Sequence, residues 1–327
     1  LFTSDFSDKK RIKEVLLEEK NSVEMRFMTA GHSAAAMRGF SHISKSSALS
    51  DAISGVKYLR FLQDFAGHYD EEIDDFVKTF KEELKTALSL NTMVVSTTGR
   101  SQVMDIIDRY QKKAEEVLNP ENDLPAAEIK LDKEVKNEGF KSASKVNFVS
   151  EVGNFKDHGL KYSGAFHVLK VALSYDYLWI NIRVKGGAYG CGANFRRSGN
   201  TSFTTYRDPH LKESCDILLN TPEYIKNFKV SDRDMDKYVI GAISNLDTPL
   251  PPSIEGQRAL SAVISGVSDE QRQRERDEVL NATQADIRAL AEPVEAALSD
   301  SILAVVGSEE MIDENSTLFD RTENLFG

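Results

Sequence analysis

Cysteine is scarce in this sequence. Cys191 and Cys215 are the only two among 327 residues, too few for a disulfide framework or a cysteine-built zinc cluster. They fit a reducing compartment, and the expectation is a cytoplasmic protein. No run of about 18 apolar residues occurs, so the sequence offers no membrane-spanning helix. Basic charge is in deficit as well. With 41 Lys and Arg against 52 Asp and Glu the net charge is −11, whereas a nucleic-acid partner calls for a basic face. The six histidines (His32, His42, His68, His158, His167 and His210) form neither His-Glu-x-x-His nor His-x-x-Glu-His, and no two lie four apart. No metal site or cofactor is therefore expected in this chain. Gly-x-Ser-x-Gly is also missing, and no motif pairs Cys191 with a histidine.

Apolar residues make up 40% of the chain, enough for real cores, and the length suits two domains. Helical periodicity predicts helices from Asp8 to Phe27, from Ser50-Asp51 through Phe65, over Asp70–Leu90, and over Ser101–Leu118. Thr92–Thr97 is short and β-branched and reads as a strand. Asn119-Pro120-Glu121-Asn122-Asp123-Leu124-Pro125 breaks both patterns, and the charged stretch to Glu138 prolongs the break. Beyond it, Lys145–Val149 and Val152–Phe155 read as strands. Tyr162–Ser174 and Tyr175–Arg183 read as two helices. Ala188–Phe195 and Ser202–Tyr206 read as an antiparallel pair. Helices follow at 209–226, 231–245, 254–267 and 283–298, and Ser301–Val306 closes as a strand. This irregular mixture predicts α+β with mostly antiparallel sheet.

The most specific string is Ile182-Arg183-Val184-Lys185-Gly186-Gly187-Ala188-Tyr189-Gly190-Cys191-Gly192. Its glycines follow a helix and enter a strand, the reverse of a dinucleotide fingerprint, and no Lys-Ser/Thr completes a phosphate loop. Gly186, Gly187 and Gly190 are instead expected to set turn geometry. That turn brings Arg183, an always-charged donor, towards Tyr189, a phenolic hydroxyl. Such a pair suits a developing oxyanion.

The string, on an apolar helix, resembles the C-terminal half of the presequence-protease branch of the insulinase/pitrilysin metallopeptidases. Arg207-Asp208-Pro209 resembles the family's Tyr/Arg-Asp-Pro segment, and Asp247-Thr248-Pro249-Leu250-Pro251-Pro252 its proline stretch. Gly31-His32 and Gly55-Val56-Lys57-Tyr58-Leu59-Arg60-Phe61-Leu62 are similar to its Ser-Gly-His and Gly-x-x-Tyr-x-x-Phe-Leu segments. The resemblance implies two insulinase-type domains, each a largely antiparallel sheet with helices on one face. Residues 1–125 would be the remainder of a third domain, 126–140 a linker, and 141–327 a fourth domain. It implies a zinc-dependent endopeptidase or oligopeptidase degrading unstructured peptides in a closed chamber. Arg183 and Tyr189 would contact the substrate carbonyl, and zinc would sit in an N-terminal half of the same polypeptide. The start at Leu1-Phe2-Thr3-Ser4 then reads as a boundary inside that longer protein. The fragment alone is expected to be inactive. A non-catalytic relative, serving as chamber wall or partner-binding subunit, is the alternative.

Overall fold

The computed structural model describes residues 6–87, 89–90, 93–118, 128–131 and 136–326. The break at Asn119–Pro125 lies outside the described residues, as do 126–127 and 132–135 of the expected linker. The helices up to the break are α1 (Lys9–Ser41), α2 (Lys45–Ser54), α3 (Val56–Gly67), α4 (Tyr69–Ala87) and α5 (Met104–Val117). Strands β1 (Glu138–Ser142) and β2 (Phe148–Asn154), helix α6 (Ala165–Ala172), and strands β3 (Gly190–Phe195) and β4 (Asn200–Tyr206) come next. Then follow α7 (Lys212–Leu219), α8 (Thr221–Lys226), α9 (Asp232–Leu246), α10 (Pro252–Ser265) and α11 (Asp269–Leu280). The chain finishes with α12 (Gln284–Ala289), α13 (Ala291–Ser299), β5 (Ile302–Ser308), α14 (Glu309–Glu314) and β6 (Arg321–Asn324).

These elements gather into two compact units, each discontinuous in sequence. One draws on Leu1–Leu17, Asp64–Glu128 and Thr248–Arg272 and is helical among the described residues. Its aromatic residues Phe65, Phe76 and Phe80 pack in sequence, with centroid spacings of 4.6 and 5.9 Å, and the Tyr69 hydroxyl donates to the Lys9 carbonyl. Asp70, Glu71 and Glu72 in the first turn of α4 complement the positive end of its dipole. The strand expected over Thr92–Thr97 is not formed. Thr92 lies outside the described residues, and 93–98 have no ladder partner and leave Val94 and Val95 exposed. β-branched side chains do not make a strand without a neighbour to pair with.

The other unit comprises Glu18–Gln63, Ile129–Asp247 and Gln273–Gly327 and holds a six-stranded sheet in the order β3-β4-β2-β5-β1-β6. The β3/β4, β4/β2 and β2/β5 pairs are antiparallel, and β5/β1 and β1/β6 are parallel. This is the α+β, largely antiparallel architecture that the sequence predicted. One face carries the main core, where Val149, Phe203, Leu303 and Val305 pack with Phe166, Leu169, Val294 and Ala297 of α6 and α13. Burying a side chain of this size is worth about 1.5–3 kcal/mol.

The opposite face is also covered, so helices do not lie on one face only. Phe40 of α1 packs with Val152 and Ile302. The close approach depends on Gly39, where a Cβ would stand 2.6 Å from Cγ2 of Val152. α1 runs on beyond Phe27 to Ser41, with a kink at Ala30, and so absorbs the small-residue segment.

Two further differences have one cause, burial of charge. Lys145–Val149 and Val152–Phe155 are not separate strands, because Ser150 and Glu151 sit inside β2 and are buried. Glu138 belongs to β1 rather than to a linker. Arg38 holds its carboxylate bidentately at 2.5 and 3.0 Å, and His42 and Arg321 approach it at 2.9 Å. Arg38 also donates to Asp51, whose other oxygen accepts from the Val56 N–H. Burial opposes ionisation of Glu138, but the hydrogen bonds and charges of His42 and Arg38 outweigh it and hold the carboxyl at about 2.

Candidate functional site

The segment that carries Arg183 is one continuous helical run, not two helices. α6 passes into wide, π-type turns over Leu173–Tyr177 and Trp179–Lys185. Its fully buried residues Leu173, Leu178 and Ile182 recur every four or five positions, the spacing of a turn wider than the α-helix. That leaves Trp179, Ile180 and Val184 facing outwards. Arg183, four residues after Trp179, lies with Cζ 4.1 Å from the Trp179 ring centroid.

The run ends in a glycine cap. The Gly187 N–H donates to the Arg183 carbonyl at 2.9 Å, and the Ala188 N–H to that of Ile182 at 3.1 Å. Gly187 has a φ of 77°, the left-handed region where a Cβ is penalised. A Cβ on Gly186 would meet the Ile182 carbonyl oxygen at 2.6 Å. Gly190 has ordinary space around it and begins β3 outside the turn.

The cap delivers Tyr189 to the sheet, where its N–H is shared between the carbonyls of Tyr206 and Arg207 at 3.1 and 3.3 Å. Its side chain stays 65% exposed, with the ring 5.5 Å from the Arg183 guanidinium. Arg183 and Tyr189 are thus brought together as the spacing implied. Among the described residues, neither the guanidinium nor the phenol has a protein hydrogen-bond partner. Stacking uses the face of the guanidinium and leaves its N–H edge free.

Three neighbours are not signalled by the string. Trp179, the only tryptophan of the chain, supports Arg183 from below. Tyr206 meets Tyr189 edge-on at 5.7 Å and packs against His32 and Phe148. Arg207 lies over the Tyr206 ring at 5.6 Å. Trp179 has a sequence signal, an aromatic four residues before Arg183; Tyr206 and Arg207 arrive through strand pairing.

Beside this group is a cleft of about 520 Å³ lined by His167, Lys170, Ser174, Trp179, Cys191 and Asn245. Burial lowers the pKa of His167, which pairs with the Tyr162 hydroxyl at 3.0 Å. Burial pushes the Cys191 thiol up to about 11, with the charge of Asp208 adding and that of Arg183 opposing. A thiol held protonated in this way is a poor nucleophile.

Metal chemistry finds no donor set here. Among the described residues, Asp64, His68 and Glu72 alone bring three ligand atoms within 4.8 Å, and all three are exposed on successive helical turns. An open surface group of this kind lacks the enclosed geometry of a catalytic zinc centre. No helix is long and apolar enough to cross a membrane.

Comparison with known proteins agrees with this local geometry. A family model described as the PreP C-terminal domain matches residues 137–309, and a second, described as a peptidase-associated region, matches residues 1–65. Protein HypA of Clostridium perfringens is 32% identical over 328 residues, covering 98% of this chain and 33% of the relative. Presequence protease 1, chloroplastic/mitochondrial, of Arabidopsis thaliana is 28% identical over 322 residues, covering 96% and 30%. Pitrilysin aligns with 64% of this chain and 24% of its own, at a TM-score of 0.47 and 12% identity. The chain spans about a third of the length of the curated relatives it matches. With a family match over more than half its residues, the chain belongs to the PreP C-terminal domain family of the insulinase-type peptidases.

Proposed function

We propose that this chain is the C-terminal part of a peptide hydrolase of the presequence-protease type, in which Arg183 and Tyr189 hold the scissile carbonyl. The observation that carries the reading is the pair itself: a guanidinium and a phenol side by side, exposed and free of protein acceptors among the described residues. Peptide hydrolysis builds negative charge on the carbonyl oxygen. Arg183 supplies charge and N–H donors, Tyr189 supplies O–H, and one such donor is typically worth about 10²–10³ in rate. Trp179 fixes the plane of the guanidinium, so less rotamer freedom is lost when substrate binds.

The described residues include no set suited to a catalytic metal, and no step is drawn through one. In this reading the zinc belongs to an N-terminal half of the same polypeptide, which is then the partner that completes the site. Donors placed on a separate half make the reaction depend on closure around the substrate, which suits unstructured peptides taken into a chamber.

The test is made in the full-length protein. Arg183→Ala and Tyr189→Phe should each lower kcat/KM about tenfold or more. Wild-type rates in both would refute the assignment. The 327-residue chain alone should show neither stoichiometric zinc nor peptidase activity, and tightly bound zinc in it would contradict the division of labour.

A further inference from the structure

Arg207 is the one non-glycine residue with a left-handed backbone among the described residues, at φ 49°. It directly follows Tyr206, the last residue of β4. In a regular strand, neighbours point to opposite faces. The left-handed turn breaks that alternation and returns the Arg207 guanidinium to the Tyr206 ring. The result is a continuous row. Arg183 lies over Tyr189, Tyr189 meets Tyr206 edge-on, and Arg207 lies over Tyr206.

Both arginine heads are unspent. Neither forms an ion pair or a side-chain hydrogen bond among the described residues. Asp208, next in the chain, is fully buried, and its Oδ1 accepts the His210 N–H. The strained backbone has a local use, since the Arg207 carbonyl accepts from Tyr189. That use needs no side chain, and glycine would meet it with less strain. An arginine at such a position points to a task for its guanidinium. Two unpaired guanidinium groups on adjacent rings form an anion-receptive patch in a chain whose net charge is −11.

We propose that Arg207 is a specificity-determining residue which, together with Arg183, binds a carboxylate of the peptide substrate. The carboxylate is either an acidic side chain near the scissile bond or the free C-terminus. The inference rests on the proposed function above, and the experiment keeps the two separable.

In the full-length protein, kcat/KM is measured for two matched peptide pairs. One pair differs by Asp against Asn beside the cleaved bond, the other by a free against an amidated C-terminus. In Arg207→Gly the acid-to-neutral ratio should fall about tenfold in one pair, as expected for loss of a charge-assisted hydrogen bond, and that pair identifies the source of the carboxylate. Arg207→Lys should restore part of the ratio. Glycine is the chosen replacement because it suits the left-handed backbone, and its melting temperature should equal or exceed that of the wild type. Unchanged ratios in both pairs for Arg207→Gly, with Arg183→Ala impaired, would overturn this inference alone. A wild-type rate in Arg183→Ala would overturn the proposed function and this inference with it.

Discussion

Glu151 offers a test of the fold that runs against intuition, because removing a buried charge there should stabilise the protein. Its side chain lies inside β2, opposite Phe203 and Leu303, and Oε2 has no hydrogen-bond partner among the described residues. Burial raises its pKa from an ordinary 4.5 to about 7, with a hydrogen bond from Ser301 giving back only part. The folded state therefore prefers the protonated acid. Stability linked to this group is fully present below pH 4.5 and is lost as pH rises through about 7. At about 1.36 kcal/mol per pH unit, that rise corresponds to about 3 kcal/mol of penalty at pH 8. Glu151→Gln removes the ionisation but keeps a polar head, so about 2 kcal/mol should be recovered at pH 8, and close to none at pH 4.5. Denaturant unfolding of wild type and variant at both pH values measures the difference. A variant that is destabilised at pH 8, or that shows the same difference at both pH values, would refute the reasoning.

Glu138→Gln should behave in the opposite sense. Its carboxyl is held at about 2 in the folded state, so the stability it provides exists above pH 4.5 and disappears as pH falls through about 2. The expected loss at pH 7 is about 3 kcal/mol, because Arg38 remains buried with part of its compensation gone; denaturant midpoints at pH 7 and below pH 4 check both the size and the fading. Trp179 is the chain's single tryptophan, so its emission reports the stack directly. Arg183→Ala should shift that emission while Arg274→Ala, an exposed control, leaves it unchanged. In the full-length protein, Trp179→Phe should keep most of the activity, and Trp179→Leu should lose about as much as one cation–π contact of roughly 1 kcal/mol, a factor of about five.

The sequence makes legible what is encoded locally. Arg183 and Tyr189 lie six positions apart across a glycine cap, and their proximity follows from the turn itself. The β3/β4 pair is readable for the same reason, since the loop 196–200 between them is turn-forming. Long-range burial is not readable. Glu138 looks like part of a charged linker because its partners, Arg38, His42 and Arg321, come from both ends of the chain. Glu151 interrupts an apolar run on paper, whereas neighbouring strands on both sides bury it. The second half of α1 lacks apolar periodicity because its contact with Val152 is made through a glycine, whose contribution is the absence of a side chain. Arg207 is visible as part of a motif, but its return to the Tyr206 face depends on one backbone angle that composition does not reveal.

The wide turns before the glycine cap make this part of the chain sensitive to length rather than to composition. A wide turn accommodates an extra residue relative to the α-helix, so deleting one residue between Leu173 and Leu178 would let the helix relax into a more regular form. The same deletion would rotate everything after it by about 100°. Leu178 and Ile182 would leave the core, and the Arg183 cap would approach β3 from the wrong side. Point substitutions along the outer face leave this phase intact. The segment can therefore drift in sequence, while its residue count is held fixed by the geometry at its end.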